Sequence, residues 1–281
     1  MRVLVTGSSG QLGAAIATEL SRSHEVVGLD LVAGPATSQH GDITNSQLIS
    51  RLCDGADAIV HAASLHAAHL HTHSPAQFEE TNVAGTRSLL DAAVRHNIRR
   101  FIYTSTTSVY GHAMEDQGRA VWVTEELVPQ PRDIYDTTKL AAEELCSHVA
   151  TRHGITCLCL RISRFFPEPA RLMAIYRTHR GIDVRDSVTA HVLAMTAPID
   201  GFEVFNISGL SPFKETDLID LKSRAPDVLR RYYPDIDADF SRRAWAMPQS
   251  IDRVYVIEKA CRRLGFSPRF GLGEYLNSLG A

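Results

Sequence analysis

Short apolar runs alternate along the chain with stretches whose apolar residues recur at helical spacing. The apolar runs, rich in β-branched residues, are Val3–Thr6, Glu25–Leu29, Ala58–His61, Phe101–Ser105, Thr156–Leu160 and Glu203–Ile207. The helical patterns are Gln11–Ser21, Asn45–Leu52, Phe78–Asn97, Tyr135–His153 and Asp186–Ala197. Apolar runs of this kind fill the middle of a parallel sheet, and their alternation with helices predicts an α/β fold with a doubly wound, Rossmann-type parallel sheet.

After Phe166 the alternation weakens. Pro167-Glu168-Pro169 interrupts it, and the later chain mixes arginine, aromatic residues and proline. We therefore expect a sheet domain formed by residues 1–166 and 182–207 and a smaller substrate-binding lobe formed by residues 167–181 and 208–281. In this lobe Thr216 is expected to cap a helix whose first turn contains Asp217.

The first apolar run leads into a glycine-rich turn that begins a helix. The predicted phosphate-binding residues are Gly7, Ser9, Gly10, Gln11, Leu12 and Gly13. Glycine lets the backbone turn sharply and approach phosphate oxygens, and the helix N-terminus points free N–H groups and a positive dipole end at them. The spacing is Gly-x-x-Gly-x-x-Gly, but the strand before the turn, the helix after it and an acid ending the next strand fit a dinucleotide-binding turn.

Asp30 is that acid. A carboxylate here can accept hydrogen bonds from the adenosine ribose and repels a 2′-phosphate. No arginine stands in the glycine turn or at Leu31-Val32, so the sequence predicts NAD rather than NADP. Asp42 and Ile43, which follow Gly41, are expected to contact adenine.

Tyr135 and Lys139 are four residues apart at the start of a predicted helix and therefore lie on one face. A tyrosine hydroxyl, with an ordinary pKa of about 10, needs a shift of roughly 3 units to exchange a proton near neutrality. Lys139 and a nicotinamide ring can supply the positive field. Upstream, Thr104 to Gly111 ends a strand with several hydroxyls, one of which can hydrogen-bond the reacting oxygen.

With these motifs the sequence resembles the extended short-chain dehydrogenase/reductase family, in its NAD-dependent epimerase/dehydratase group, over about residues 1 to 210. The matching segments are Thr6–Gly13, Asp30, Asp42-Ile43, Val60–Ala63, Asn82–Thr86, Thr106–Gly111, Tyr135–Lys139 and Leu160-Arg161. The resemblance implies Tyr135 as acid/base, Lys139 as its partner and a ribose ligand, and Thr106 as the third catalytic residue. It further implies that Ala62 and Ala63 back the dinucleotide, that Asn82 is a structural or relay residue, and that two copies form a homodimer.

Two departures bear on the substrate. Arg164 stands where nucleotide-sugar members of the family have an asparagine, and only 25 positions separate Arg161 from Asp186 (186 − 161), where those members have a substantial insertion. This compact plan looks more like the uronate or aldose dehydrogenases of the family. We expect hydride transfer between NAD and a secondary alcohol or ketone carbon of a small sugar-like substrate, with an NAD-dependent nucleotide-sugar 4-epimerase or dehydratase as the alternative. An NAD-binding sensor would not need Thr106, Tyr135 and Lys139.

The loop after His61 contains four further histidines, His66, His69, His71 and His73. Converging imidazoles can bind zinc, but no carboxylate pattern accompanies them, and we predict no metal site. The loop leaves a strand at its carboxyl end, so it is expected to cover the nicotinamide, unless its histidines simply face solvent. The predicted substrate contacts are His66, His69, Thr107, Ser108 and Arg164.

Charge and composition narrow the location and partners. The net charge of the 281 residues is −3 and no basic block occurs, so neither nucleic acid nor an anionic membrane is expected as a partner. No apolar run approaches the roughly 18 residues of a membrane span, and no secretory signal is visible, so a cytoplasmic location is expected. The five cysteines are scattered and odd in number and are expected to be reduced, with Cys157 and Cys159 buried on a strand.

Overall fold

A seven-stranded parallel sheet forms the centre of the computed structural model, which describes residues 1–280. Its strands are β1 (Arg2–Thr6), β2 (Glu25–Asp30), β3 (Gln39–His40), β4 (Ala58–His61), β5 (Arg100–Thr106), β7 (Thr156–Ile162) and β8 (Phe202–Ile207). Their order across the sheet is β3-β2-β1-β4-β5-β7-β8. The chain therefore winds outward from β1 in one direction and from β4 in the other, which confirms the doubly wound fold.

Helices cover both faces of the sheet. They are α1 (Gln11–Leu20), α2 (Ser46–Cys53), α3 (Pro75–Phe78), α4 (Gly85–Arg95), α5 (Ile134–His153), α6 (Ala170–Arg177), α7 (Val184–Thr196), α8 (Leu218–Tyr232), α9 (Ile236–Arg242), α10 (Glu258–Leu264) and α11 (Leu272–Ser278). The single helix expected over Phe78–Asn97 is instead divided into α3, a π-helical segment Glu79–Ala84 and α4. Apolar spacing could not reveal this, because a π turn changes the backbone hydrogen bonds and not the choice of buried residues.

The apolar core lies on both faces of the sheet. On one face Ile16 of α1 and Ala190 of α7 pack with sheet residues such as Val5, and Ala260 of α10 belongs to the same cluster. On the other face residues of α2, α4 and α5 pack against strand residues that include Cys157 and Cys159. Both cysteines are fully buried free thiols, as predicted.

A third apolar cluster joins the remaining helices into a smaller lobe. Residues of α6, α8, α9 and α11 form it, and Trp122 and Trp245 pack against it. Two short parallel strands, β6 (Val121–Val123) and β9 (Arg253–Tyr255), pair at this lobe. The expected cap at Thr216 is wrong: a 3₁₀ turn, Glu215–Asp217, precedes α8, and the Asp217 carboxylate accepts the backbone N–H of Lys214. A carboxylate accepts that N–H more strongly than a neighbouring hydroxyl would.

Among residues 1–280, no helix is both long enough and apolar enough to cross a membrane.

Candidate active site

A cleft of about 1120 Å³ opens at the carboxyl ends of the central strands. Two of the residues predicted for the site, Ser9 and Asn82, do not line it. The predicted residues that do are Gly7, Gly10, Gln11, Leu12, Gly13, Asp30, Asp42, Ile43, Ala62, Ala63, His66, His69, Thr106, Thr107, Ser108, Tyr135, Lys139 and Arg164. Segments far apart in sequence thus meet at one edge of the sheet, where ligands bind in open α/β folds.

The glycine turn between β1 and α1 has the shape of a phosphate cradle. Gly7 has φ +73°, and a Cβ there would lie 2.7 Å from the backbone nitrogen of Ala63. A Cβ on Gly13 would overlap the carbonyl oxygen of Gly7. Gly10 begins α1 with no side-chain cap, so the first N–H groups of the helix stay available to a ligand. The turn therefore fits the diphosphate of a dinucleotide.

Asp30 and Ser9 tie this turn to the end of β2. One oxygen of Asp30 accepts the backbone N–H of Ser9 at 2.9 Å, and the other accepts that of Val32 at 3.2 Å. The Ser9 hydroxyl donates to the carbonyl of Val32 at 2.6 Å. Ser9 thus shapes the cradle from outside the cleft, whereas Asp30 lines the cleft and has lone pairs left for ribose hydroxyls.

Asn82 lies in the π-helical segment and holds the histidine loop to α5. Its amide pairs with both backbone groups of Leu65, at 2.8 Å and 2.9 Å, and donates to the Thr138 hydroxyl at 3.0 Å. The side chain is buried behind the cleft wall. This geometry gives Asn82 a structural task; contact with a cofactor stays a prediction.

Tyr135 and Thr106 meet in the cleft. Tyr135 is in the first turn of α5, which Asp133 caps by accepting the N–H of Asp136 at 2.9 Å. Burial raises the pKa of the Tyr135 hydroxyl above its ordinary value, and a hydrogen bond with Thr106 opposes the rise. Lys139, which was expected to lower the pKa of Tyr135, does not contribute to this balance. Tyr135 therefore stays protonated at neutral pH unless a further positive charge enters the cleft.

Lys139 is held below the cleft surface by two groups of β5. Its Nζ donates to the carbonyl of Thr104 at 2.7 Å and lies 4.2 Å from the centroid of the Tyr103 ring. Burial lowers the pKa of Lys139 to about 7, and the Glu143 carboxylate opposes this by raising it. The ammonium form thus depends on the few groups that surround it.

A buried ion pair supports this face of α5 from behind. Both oxygens of Glu143 bind the Arg161 guanidinium, at 3.0 Å and 2.6 Å, and the Ser105 hydroxyl donates to the same carboxylate. Both charged side chains are almost completely buried. Such a bidentate pair fixes the register of α5 against β5 and β7.

The histidine loop forms a row of rings along the cleft. The centroids of His66 and His69 are 4.3 Å apart, those of His69 and His73 are 5.2 Å apart, and Phe166 stacks on His66 at 5.0 Å. His69 Nδ1 accepts the backbone N–H of His66 at 3.0 Å. Across residues 1–280, no group of three or more His, Cys, Asp or Glu side chains could hold a metal ion.

Several residues that line the cleft were not predicted from the sequence. They include Met114, Arg132, Phe165, Phe166, Arg180, Arg253 and Tyr255. Arg253 and Tyr255 reach the cleft because β9 pairs with β6 across more than a hundred residues, a contact with no local signal. Arg164, which was predicted, forms an ion pair with Glu168.

The sequence of this chain is similar to those of known proteins. A family model described as the NAD dependent epimerase/dehydratase family matches residues 3–173. The UDP-glucose 4-epimerase of Halalkalibacterium halodurans is 29% identical over 57% of this chain and 50% of its own length. The uronate dehydrogenase of Pseudomonas putida is 27% identical over 61% of this chain and 63% of its own length. The match thus spans between half and two thirds of these curated relatives.

The fold also recurs among solved structures. MoeE5 in complex with UDP-glucuronic acid and NAD superimposes with a TM-score of 0.74, covering 99% of this chain and 97% of MoeE5 at 24% sequence identity. The matched family is NAD-dependent, which confirms the cofactor expected from the sequence. The family model matches residues 3–173, which is more than half of this chain. This chain therefore belongs to the NAD-dependent epimerase/dehydratase family.

Proposed function

We propose that this protein is an NAD-dependent oxidoreductase that transfers a hydride at a secondary alcohol or ketone carbon of a small sugar-like substrate. The observation that carries the proposal is the meeting of Thr106, Tyr135 and Lys139 in the cleft that begins at the glycine turn. A sensor of NAD needs the glycine turn but has no use for a proton-exchanging hydroxyl next to a buried lysine.

The proposed chemistry assigns a separate task to each side chain. When bound, NAD supplies the hydride acceptor and a positive nicotinamide ring that lowers the pKa of the nearby tyrosine. Thr106 donates a hydrogen bond to the substrate oxygen and orients it. Lys139 stabilises the phenolate form of Tyr135, and this phenolate takes the hydroxyl proton of the substrate at its own oxygen and becomes a neutral phenol.

The short connection after β7 supports a compact substrate. Between the end of β7 and the start of α7 the chain forms only α6 and a bridge that pairs Arg164 with Gly181. This segment provides little surface to enclose a nucleotide. The pairing of two copies through α4 and α5, and a cytoplasmic location, stay predictions.

A substrate screen with free NAD tests the function. Uronates, aldoses and UDP-sugars would be incubated with the enzyme while NADH absorbance is followed. Accumulation of NADH with a uronate or an aldose is the expected result. A UDP-sugar converted without net NADH would instead establish an epimerase or dehydratase.

Tyr135→Phe tests the acid/base assignment on the substrate so found. We expect turnover to fall by about 100-fold or more, since a general acid/base contributes roughly that factor, with NAD affinity retained. Tyr233→Phe, at a partly buried tyrosine packed against the lobe cluster, is the matched control. Unchanged turnover in Tyr135→Phe would show that the assignment is wrong.

A further inference from the structure

Arg132 lies just before α5 and is fixed along one edge of its guanidinium. Its Nε donates to Asp136 Oδ2 at 3.2 Å, and its NH2 group donates to the Ser108 hydroxyl at 2.9 Å. The backbone N–H of Arg132 donates to the same Asp136 oxygen at 3.3 Å. Since the Asp136 side chain is completely buried, the anchor is held by the first turn of the same helix that carries Tyr135.

The opposite edge of this guanidinium is available. In the usual atom naming, Nε and NH2 share one edge of the planar group, while NH1 and the second hydrogen of NH2 form the other. Within residues 1–280 the NH1 group has no hydrogen-bond partner, and the side chain lines the cleft. A fixed guanidinium with one open edge is the arrangement that binds an oxyanion through two parallel hydrogen bonds.

Two further arginines that line the cleft have Nε donors without acceptors among residues 1–280. Arg180 and Arg253 line the same cleft, and the Nε atom of each is buried without a hydrogen-bond partner among the described residues. Their one shared carboxylate is Asp252, which lies 3.9 Å from Arg180 and pairs with Arg253. Asp252 offsets only part of the positive charge of the two arginines, and the remaining charge favours an anionic ligand in the cleft.

The open edge lies close to the proposed reaction centre. Ser108, which binds Arg132, also donates its backbone N–H to the Thr106 hydroxyl at 3.0 Å. One residue therefore links Arg132 to the hydroxyl that is proposed to orient the reacting oxygen. Ser108 was expected to contact the substrate. In the structure its hydroxyl instead accepts a hydrogen bond from the Arg132 guanidinium.

We propose that the open edge of Arg132 binds an oxyanion of the substrate and selects acidic over neutral sugars. The inference rests on the proposed function and deepens it by naming the substrate's charge. The oxyanion is the carboxylate of a sugar acid or the diphosphate of a nucleotide-sugar, since both match the fork of a guanidinium.

The experiment compares Arg132→Met and Arg132→Lys with the wild type on three substrates: a uronate, the aldose of the same configuration and a UDP-sugar. For the acidic substrate, Arg132→Met is expected to lower kcat/KM by about 10- to 100-fold through KM, the range for a lost hydrogen bond to a charged group. Arg132→Lys should recover only part of this, because it keeps the charge and loses the fork. Activity on the neutral aldose should fall less than activity on the acidic substrate.

Arg22→Met, at an exposed arginine near the end of α1, is the matched control. A loss confined to the uronate identifies a carboxylate, and a loss confined to the UDP-sugar identifies the diphosphate. An equal loss on acidic and neutral substrates, or no loss in either variant, would overturn the inference while leaving the oxidoreductase function intact. NAD affinity, measured by calorimetry on each variant, shows whether the cofactor cradle is preserved. If Arg132→Met does not fold, the comparison of Arg132→Lys with the wild type decides whether Arg132 binds the oxyanion.

If the wild type oxidises neither kind of sugar, the proposed function fails, and the Arg132 comparison can be made on binding alone. Titration calorimetry with the uronate and the neutral aldose would then give the discrimination directly. Equal affinities in the wild type would overturn the inference in that case.

Discussion

The Nζ atom of Lys139 lies 4.2 Å from the centroid of the Tyr103 ring. An ammonium above an aromatic face is stabilised by the negative charge of that face, by about 2 kcal/mol when both groups are desolvated. Both residues are almost fully buried. The ring therefore favours the charged form of Lys139 in surroundings that otherwise lower its pKa.

Replacing Tyr103 with leucine is expected to lower the pKa of Lys139. The ammonium form is lost above that pKa, so the high-pH limb of kcat should move to lower pH by up to about 1.5 units, the equivalent of about 2 kcal/mol. The Tyr103 hydroxyl is buried without a partner among residues 1–280. Tyr103→Phe therefore keeps the ring and should keep the wild-type profile. Identical profiles for the leucine and phenylalanine variants would contradict the role of the ring.

Gly13→Ala is expected to damage the phosphate cradle. Because the new Cβ would overlap the carbonyl oxygen of Gly7, the turn must shift, at a cost of about 1–3 kcal/mol in stability. NAD affinity, measured by titration calorimetry, should fall by at least about tenfold. Gly273→Ala is the control, since no atom lies within 4 Å of its added Cβ. Equal NAD affinity in both variants would refute the cradle.

Asp30→Asn tests the choice between NAD and NADP. The wild type is expected to bind NAD more tightly, because the carboxylate repels a 2′-phosphate. Removing the charge should narrow the NAD:NADP affinity ratio by about tenfold, a Coulomb energy of about 1.4 kcal/mol. Asparagine keeps an oxygen for the N–H of Ser9. Asp54→Asn, at the exposed end of α2, should leave the ratio unchanged. Tighter binding of NADP by the wild type would sink the prediction.

Buried histidines should make the protein less stable in mild acid. Burial lowers the pKa of His61 to about 3, that of His179 to about 3 and that of His191 to about 4. Above pH 6.5 these histidines are neutral in both the folded and unfolded states, so stability is fully present. As the pH falls below 6.5, the unfolded chain binds protons that the folded chain does not. Each histidine then removes up to about 1.4 kcal/mol per pH unit.

Urea denaturation at several pH values between 6.5 and 4.5 measures this slope. His191→Gln should reduce it, because one of the three histidines is gone, even though the lost bonds to Thr104 and Ser187 lower stability at every pH. His40→Gln, at an exposed position on β3, should leave the slope as it is. A slope unaffected by His191→Gln would contradict the assignment.

The sequence predicted most of the sheet and much of the cleft because both depend on local signals. Apolar runs located six of the seven strands, and the parallel order then brought the ends of β1, β2, β4 and β5 to one edge. The two-residue strand β3 was missed because its residues are polar and exposed. Arg253 was missed because only the pairing of β6 with β9 brings it to the cleft. Hydrogen-bond partners, such as Asp136 for Arg132, depend on side-chain directions that spacing alone does not give.

The two tryptophans of the chain, Trp122 and Trp245, both pack against the apolar cluster of the smaller lobe. Neither lines the nucleotide cleft. Selective excitation of tryptophan therefore reports on the surroundings of this cluster. Its emission gives each purified variant an intrinsic optical signal for whether the lobe unfolds together with the sheet or separately from it.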